Sequence, residues 1–219
     1  MFEKKVFENG DYTLNYAVDY PENFDKNKKY PVIFYFHGMG MVKCGIEHVM
    51  EHCPVRRERI PDELDFIIVA PSCDDLMWIE EFKNVVRFVE YIENKPYVDK
   101  KRCSLTGSSM GGYTAWYLMI LHCDLFANAV LCCSAGMYCW VGRTVKIPVI
   151  CVHGDSDTVV FPRESEILVE KINACGGNAE LIIKKGCGHD VWTDTYSDPE
   201  MYKWMFMNKK AERINSSVI

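Results

Sequence analysis

The stretch Gly107-Ser108-Ser109-Met110-Gly111 lies between a short apolar run and a longer amphipathic one. Residues 103–106 predict the end of a buried strand, and residues 113–122 predict a helix. A serine with glycines two positions before and two positions after it, at a strand-to-helix junction, is typical of a sharp turn that exposes the serine hydroxyl as a nucleophile. The spacing of the glycines selects Ser109 rather than Ser108 as the exposed serine.

Acidic and histidine side chains follow two later predicted strands. The apolar run 148–153 leads into a polar loop that holds Asp155 and Asp157, and the run 179–184 leads into a glycine-rich loop that presents His189. Asp157 follows Ser109 by 48 residues and His189 follows Asp157 by 32, which leaves room for one strand–helix unit in each interval. Loops after parallel strands are where α/β sheets carry their sites. The order serine, acid, histidine is that of an α/β-hydrolase triad.

Strand and helix patterns alternate along the chain, which predicts an α/β fold with a mostly parallel central sheet and helices on both faces. Residues 12–18 alternate and predict an antiparallel edge strand, whereas 31–36 and 66–70 are continuous apolar runs typical of strands buried on both faces. Further helices are predicted at residues 79–94, at 163–174 and around 200–210. We expect one domain over residues 1–219, with no large cap domain.

Composition limits the class of protein. The 219 residues carry a net charge of −6, which disfavours nucleic acid as a partner. We find no apolar run of membrane-spanning length and no export signal at the start of the sequence, so we predict no membrane association. Eleven cysteines without a regular spacing favour reduced thiols and a cytoplasmic location. Nothing in the composition predicts an oligomeric state.

The chemistry of a serine nucleophile assigns roles to these residues. A serine hydroxyl is a weak nucleophile and needs a base, which His189 would supply. An aspartate would orient the imidazole and stabilise its charged form. The negative oxygen of the intermediate needs two N–H donors, for which we predict the backbone of Met110 and of Met39.

Alternatives remain for the base, the acid and the serine. Asp155 and Asp157 are two positions apart and point the same way on an extended segment, so spacing does not choose between them. Ser134 is a weaker rival nucleophile because it lacks the glycine two positions earlier. The other five histidines are expected to be structural or surface residues: His37, His48, His52, His122 and His153.

A family resemblance rests on four stretches of the sequence, which are His37-Gly38-Met39-Gly40, Gly107-Ser108-Ser109-Met110-Gly111-Gly112, His153-Gly154-Asp155-Ser156-Asp157 and Gly186-Cys187-Gly188-His189. They resemble the serine α/β-hydrolase superfamily, in its small carboxylesterase or "predicted peptidase" branch, which is related to phospholipase/carboxylesterase and feruloyl-esterase-like enzymes. The resemblance spans residues 31–210. It implies an α/β-hydrolase fold and an acyl-enzyme on Ser109, completed by His189 and Asp157. The family pattern H-G-x-x-D favours Asp157 over Asp155.

Three tryptophans near predicted strand ends are candidates for a substrate pocket: Trp78, Trp140 and Trp192. Packing of the domain is an equally good interpretation of each. Cys187 and His189 lack the second pair that a zinc site would need, so we predict no metal and no cofactor.

These observations predict a serine hydrolase that cleaves small-molecule carboxylic esters with small or medium acyl or aryl groups. Peptidase and acyl-thioester hydrolase activities use the same triad. The chain length leaves no room for the substrate-gating domain that peptidases of this superfamily usually carry, which favours the ester. A binding protein on a hydrolase scaffold is a third hypothesis, but such a scaffold is expected to lack part of the triad or an elbow glycine.

Overall fold

The centre of the molecule is an eight-stranded sheet, seen in a computed structural model that describes residues 1–75 and 77–210. The strands in chain order are β1 (Glu3–Asn9), β2 (Tyr12–Asp19), β3 (Tyr30–Phe36), β4 (Ile67–Pro71), β5 (Val98–Ser108), β6 (Asn128–Cys132), β7 (Val149–Gly154) and β8 (Ala179–Lys184). Across the sheet their order is β1-β2-β4-β3-β5-β6-β7-β8. β2 runs antiparallel to β1 and β4, and all other neighbours pair in parallel.

The strand order reverses at β3, which has β4 on one side and β5 on the other. The pairing of β3 with β5 continues to Phe36 and Gly107, at the carboxyl ends of both strands. The loops that follow β3 and β5 therefore start side by side. This edge of a parallel sheet, at the point where the strand order reverses, is where α/β proteins bind ligands.

Helices cover both faces of the sheet. They are α1 (Ile46–His52), α2 (Phe82–Glu93), α3 (Met110–Leu121), α4 (Pro162–Ala174), α5 (Trp192–Thr195) and α6 (Pro199–Met207). Helices α2, α3 and α4 pack in one apolar cluster with Phe34, and α1 and α6 pack in a second cluster with Tyr35. Consecutive residues of a strand point to opposite faces, so β3 separates two cores. The predicted fold class, a mostly parallel sheet between helices, is confirmed.

The order of the first strands differs from the prediction. Residues 12–18 were predicted as the edge of the sheet, but β2 lies between β1 and β4, and β1 forms the edge. β1 carries charged and exposed side chains such as Lys4 and Lys5 and pairs with β2 along its whole length. Lysines on an edge strand discourage pairing with another chain. Because of them, β1 also lacks the apolar pattern by which a strand is predicted from the sequence.

Two helix boundaries also differ. The last helix was expected to extend to about residue 210, but α6 ends at Met207 because the following Asn208 has extended backbone angles. The helix predicted from residue 113 begins at Met110, directly after Ser109. Among the described residues no helix has both the length and the apolar character to cross a bilayer.

Candidate active site

Ser109 lies in the turn between β5 and α3. Its backbone angles, φ 52° and ψ −121°, are ones that a residue with a side chain rarely adopts. The turn is held because the Ser109 N–H donates to the carbonyl oxygen of Cys132 at 2.9 Å. A Cβ on Gly107 would lie 2.6 Å from the Gly111 carbonyl, and a Cβ on Gly111 would overlap the Phe36 carbonyl. Both glycines are therefore required by close backbone contacts, as the sequence spacing predicts.

Ser109, His189 and Asp157 are joined by hydrogen bonds in series. The Ser109 hydroxyl lies 2.9 Å from His189 Nε2, and His189 Nδ1 lies 2.7 Å from Asp157 Oδ2. A neutral imidazole with its proton on Nδ1 donates to the carboxylate and accepts from the serine. The three predicted residues thus meet in the arrangement of a charge-relay triad.

The carboxylate of Asp157 is held by its own loop. Its Oδ1 accepts the backbone N–H groups of Val159 and Val160, at 2.8 and 3.0 Å. Burial by itself would raise the pKa of Asp157, but the hydrogen bonds from His189 and from these two N–H groups outweigh burial and lower that pKa below its usual value. Asp157 is therefore the ionised acceptor that His189 requires.

The neighbouring acids have other partners. Asp155 Oδ1 accepts the Gly186 N–H at 2.8 Å and the Ser156 hydroxyl at 2.9 Å, so it ties two loops together. Asp190 caps the turn before α5 by accepting from the backbone N–H and the hydroxyl of Thr193. Of the candidate acids in these two loops, Asp157 is the one that contacts His189.

The loop after β3 lies against the serine. A Cβ on Gly38 would lie 3.3 Å from the Ser108 carbonyl and 3.4 Å from Ser109 Cβ, so the Gly38–Met39 peptide is next to the elbow. Met110 is the first residue of α3, and its N–H belongs to the unpaired first turn of that helix. Met39 and Met110, whose N–H groups the sequence suggested as donors, therefore belong to the two segments that adjoin Ser109.

His37 fixes the conformation of this loop. Its Nδ1 donates to the Gly38 carbonyl at 2.8 Å, and its Nε2 accepts the Cys73 N–H at 3.0 Å. The Trp78 indole N–H donates to the His37 carbonyl at 3.0 Å. Burial outweighs the hydrogen bond to Gly38 and lowers the pKa of His37 to about 4, which keeps the ring neutral.

A cavity of about 480 Å³ opens over Ser109 and His189. Among the described residues, its lining carries three histidines and no carboxylate, lysine or arginine. The side chains of Met39, Met41 and Trp192 line it, and the Trp192 ring meets the His189 ring edge-on at 5.4 Å between centroids. The site therefore offers a mainly apolar space beside the serine.

The structure brings only Trp192 of the three predicted tryptophans to this cavity. Trp78 is 2% exposed and donates its indole N–H to the His37 carbonyl. It lines a separate cavity of about 170 Å³ next to Met110. Trp140 is half exposed and faces Arg143.

Several lining residues were not identified from the sequence, among them one tyrosine and two histidines. Tyr35 is buried in β3 and exchanges a hydrogen bond with the Ser108 hydroxyl at 3.1 Å. His48 and His52 line the cavity from α1, with their rings stacked at 4.0 Å. Two histidines four residues apart lie on one face of a helix, and this spacing was the signal that could have placed them together.

One buried cluster has the composition of a metal site. Cys133, His153 and Asp157 each bring a ligand atom within 4.8 Å of the others. His153 Nε2 lies 2.9 Å from the Val160 carbonyl, and Asp157 accepts from His189. Both side chains are thus already used in hydrogen bonds within the protein.

Comparisons with known proteins agree with this geometry. A family model described as the prolyl oligopeptidase family matches residues 73–144. Dipeptidyl-peptidase 5 of Porphyromonas gingivalis is 28% identical over 123 residues, which are 49% of this chain and 17% of that protein. Endo-1,4-beta-xylanase Y of Acetivibrio thermocellus is 30% identical over 141 residues, which are 54% of this chain and 12% of that protein. The matches thus cover less than a fifth of either relative.

The fold is also that of solved structures. The crystal structure of a thermostable esterase matches 95% of this chain and 63% of its own with a TM-score of 0.78, at 21% identity. The sheet order and the similarity to this structure are those of the α/β-hydrolase fold. The proteins that the chain resembles include both an esterase and a peptidase.

Proposed function

We propose that this protein is a carboxylesterase that cleaves small-molecule esters through an acyl-enzyme on Ser109. One observation carries the proposal: the hydrogen-bonded series Ser109–His189–Asp157 ends at a cavity without carboxylates, lysines or arginines in its described lining. A volume of about 480 Å³ is within the range of small-molecule sites.

Acylation begins with the serine. Ser109 Oγ attacks the ester carbonyl carbon while its proton passes to His189 Nε2, and Asp157 stabilises the imidazolium that forms. The carbonyl oxygen becomes negative and accepts the N–H groups of Met39 and Met110, each typically contributing ~3 kcal/mol to the transition state. The C–O bond to the alcohol then breaks, and His189 returns the proton to the leaving oxygen.

Deacylation repeats these steps with water. His189 takes a proton from a water molecule, whose oxygen attacks the acyl carbon of the Ser109 ester. The intermediate oxygen uses the same two N–H groups, and the bond to Ser109 Oγ breaks as His189 protonates it. The products are the carboxylic acid and the unchanged enzyme.

The lining favours a neutral acyl or aryl group of small or medium size. Met39, Met41 and Trp192 present apolar surface, and burying such surface stabilises an apolar group by ~25 cal/mol per Å². A carboxylate or ammonium on the substrate would lose water without gaining an opposite charge from the lining.

The first test is the initial rate of p-nitrophenyl butyrate hydrolysis. We expect activity in the wild type and its loss by at least about a thousandfold in Ser109→Ala, because the nucleophile is removed. Ser134→Ala, which changes the rival serine, is the matched control and is expected to retain activity. A folded wild type without activity, or a fully active Ser109→Ala, would overturn the proposal.

A peptidase is the second candidate function. It is supported by the match of residues 73–144 to the prolyl oligopeptidase family and by the similarity to dipeptidyl-peptidase 5. The test compares the p-nitrophenyl ester and the p-nitroanilide of the same N-acylated amino acid, and a thioester of that acid. Anilide cleavage that equals or exceeds ester cleavage in kcat/KM would favour the peptidase.

Trp192 is proposed to set the preference for acyl size. Its ring lies beside His189 in the cavity lining, so Trp192→Ala enlarges the space next to the reacting carbon. We expect the preferred p-nitrophenyl ester to shift to a longer acyl chain. Trp140→Ala, which alters a tryptophan outside this lining, is expected to leave the preference unchanged. An unchanged profile in Trp192→Ala would remove Trp192 from the specificity pocket.

We also propose a cytoplasmic location and a small-molecule ester as the partner. The eleven free thiols support the location, because such cysteines are characteristic of reducing compartments. Fractionation of the source cells, with activity as the readout, tests the location.

A further inference from the structure

We propose that His153 is a positioning residue for Asp157: it is a second imidazole donor to the carboxylate that holds His189. The inference rests on the proposed function, in which Ser109, His189 and Asp157 carry out the chemistry. It adds a residue that contacts neither the cavity nor the nucleophile.

The placement of His153 Nε2 carries the inference. This nitrogen lies 3.2 Å from Asp157 Oδ2 and 2.9 Å from the Val160 carbonyl oxygen. Both neighbours are acceptors, so Nε2 must carry the hydrogen and donate it. The hydrogen bond of this N–H is to the Val160 carbonyl, and Asp157 Oδ2, which accepts from His189 Nδ1 at 2.7 Å, lies close enough to share it.

The ring of His153 has one orientation in its surroundings. It is fully buried near the end of β7, and its Nδ1 lies 2.8 Å from the hydroxyl of Ser165 on α4. Ser165 Oγ in turn lies 3.2 Å from the Ser134 carbonyl after β6. Turning the ring would break its hydrogen bonds to Ser165 and Val160, so its Nε2 stays beside the Val160 carbonyl and Asp157 Oδ2.

The carboxylate of Asp157 thus accepts three hydrogen bonds and has a second imidazole nitrogen beside it. Oδ1 accepts the backbone N–H groups of Val159 and Val160, whereas Oδ2 accepts from His189 and lies 3.2 Å from His153 Nε2. Backbone donors fix one oxygen within the loop, whereas His153 fixes the oxygen that faces His189. We infer that His153 keeps this oxygen in line with His189 Nδ1 and also shares part of its negative charge.

Other titratable groups near the carboxylate are neutral at working pH. Burial raises the pKa of the Cys133 thiol after β6 and of the Tyr113 hydroxyl on α3. Cys133 Sγ completes the buried cluster with His153 and Asp157.

The test is the pH profile of kcat/KM for ester hydrolysis in His153→Leu and His153→Gln. Leucine removes the donor, so the full charge of Asp157 acts on His189 and stabilises its protonated form. The acidic limb should then move to higher pH by at least about half a pH unit. Loss of orientation should lower kcat by about 10-fold to 100-fold with KM little changed, the range for a hydrogen bond to a charged group. Glutamine carries an amide N–H near the position of Nε2, so His153→Gln should restore most of kcat and most of the wild-type position of the acidic limb.

A structural role alone predicts a different result. Val89→Ala opens a space in the core at α2, away from the site, and is the control for lost stability. It should lower the unfolding temperature and leave the acidic limb unchanged. If His153→Leu behaves like Val89→Ala, the inference is wrong.

A second variant covers the case in which His153→Leu does not fold. Ser165→Ala removes the hydroxyl partner of Nδ1 and leaves the packing nearly intact, and it should lower kcat by about 3-fold to 10-fold. Unchanged kcat in Ser165→Ala, with the acidic limb at its wild-type pH, would overturn the inference. A wild type without esterase activity would instead overturn the proposed function, since all of these profiles require it.

Discussion

Two aspartates of one loop have different hydrogen-bond partners, so we expect substitution of each to change kcat by a different amount. Asp157 accepts from His189, whereas Asp155 accepts from the Gly186 N–H in the next loop. Asp157→Asn presents an amide in place of the carboxylate, so His189 loses its charged partner and is held in the wrong tautomer. We expect kcat to fall by about 10⁴-fold. Asp155→Asn keeps an acceptor oxygen and should change kcat only a few-fold. Equal losses in the two variants, measured with p-nitrophenyl butyrate, would contradict this assignment.

His37 makes the stability of the protein depend on pH. Its pKa in the folded protein is about 4 because the ring is buried, whereas an unfolded histidine has a pKa of ~6.5. As pH falls from about 6.5 to about 4 the unfolded chain binds a proton that the folded protein excludes. This one residue should therefore cost about 3 kcal/mol of unfolding free energy over that window.

The comparison variant for this prediction is His37→Gln. Glutamine can accept from the Cys73 N–H and donate to the Gly38 carbonyl, as His37 does, but it does not titrate. Urea unfolding at a series of pH values should show a shallower acid-side loss in the variant. Parallel curves for the two proteins would show that His37 is not the group responsible.

At the scale of the elements, the contact between β3 and α3 determines whether the elbow can form. A Cβ on Gly111 would overlap the Phe36 carbonyl, and backbone of a central strand has no room to move away. Gly111→Ala should therefore lower the unfolding free energy by about 3 kcal/mol or more and abolish activity. Gly40→Ala is the matched control, because a Cβ there meets nothing within 4 Å. Similar unfolding midpoints for the two variants would contradict the argument.

The elements that could be predicted from the sequence are those whose pattern is set by burial. The strand at 31–36 is apolar throughout because both of its faces are covered, and the glycines at 107 and 111 follow from backbone contact. Ser109 and His189 were accessible because loops after parallel strands meet at one edge, whereas the choice of Asp157 over Asp155 came from the family pattern H-G-x-x-D. These parts depend on local rules that the sequence states directly.

Other parts depend on neighbours that are distant in the sequence. β1 was missed because its exposed, charged residues form a strand only through pairing with β2. The role of Trp78 depends on its contact with the His37 carbonyl, and the role of His153 depends on its contact with Asp157. No pattern within a segment indicates such pairings, because they arise from the order of strands in the sheet.

At the scale of the whole molecule, burial divides the eleven thiols into groups of different reactivity. Cys44, Cys123, Cys139 and Cys175 are exposed, Cys187 is partly exposed, and the other six are buried. Burial raises the pKa of Cys53 and of Cys132 to about 12, and the thiolate is the form that reacts. A disulfide reagent at pH 7.5 should therefore modify four thiols quickly, Cys187 more slowly, and the rest only after denaturation.

The same modification of thiols by a disulfide reagent tests whether the two apolar clusters unfold together. Buried cysteines occur in both apolar clusters, for example Cys103 in one and Cys53 in the other. If the sheet opens on one side more readily than on the other, the thiols of that side should be modified first under mild urea. Simultaneous modification of all six buried thiols, at the unfolding midpoint, is the result expected for a cooperative fold.

Esterase activity should persist after the four exposed thiols are blocked, since none of them lines the cavity at Ser109. Early loss of activity would mean that a thiol-bearing surface outside the cavity controls access to the site.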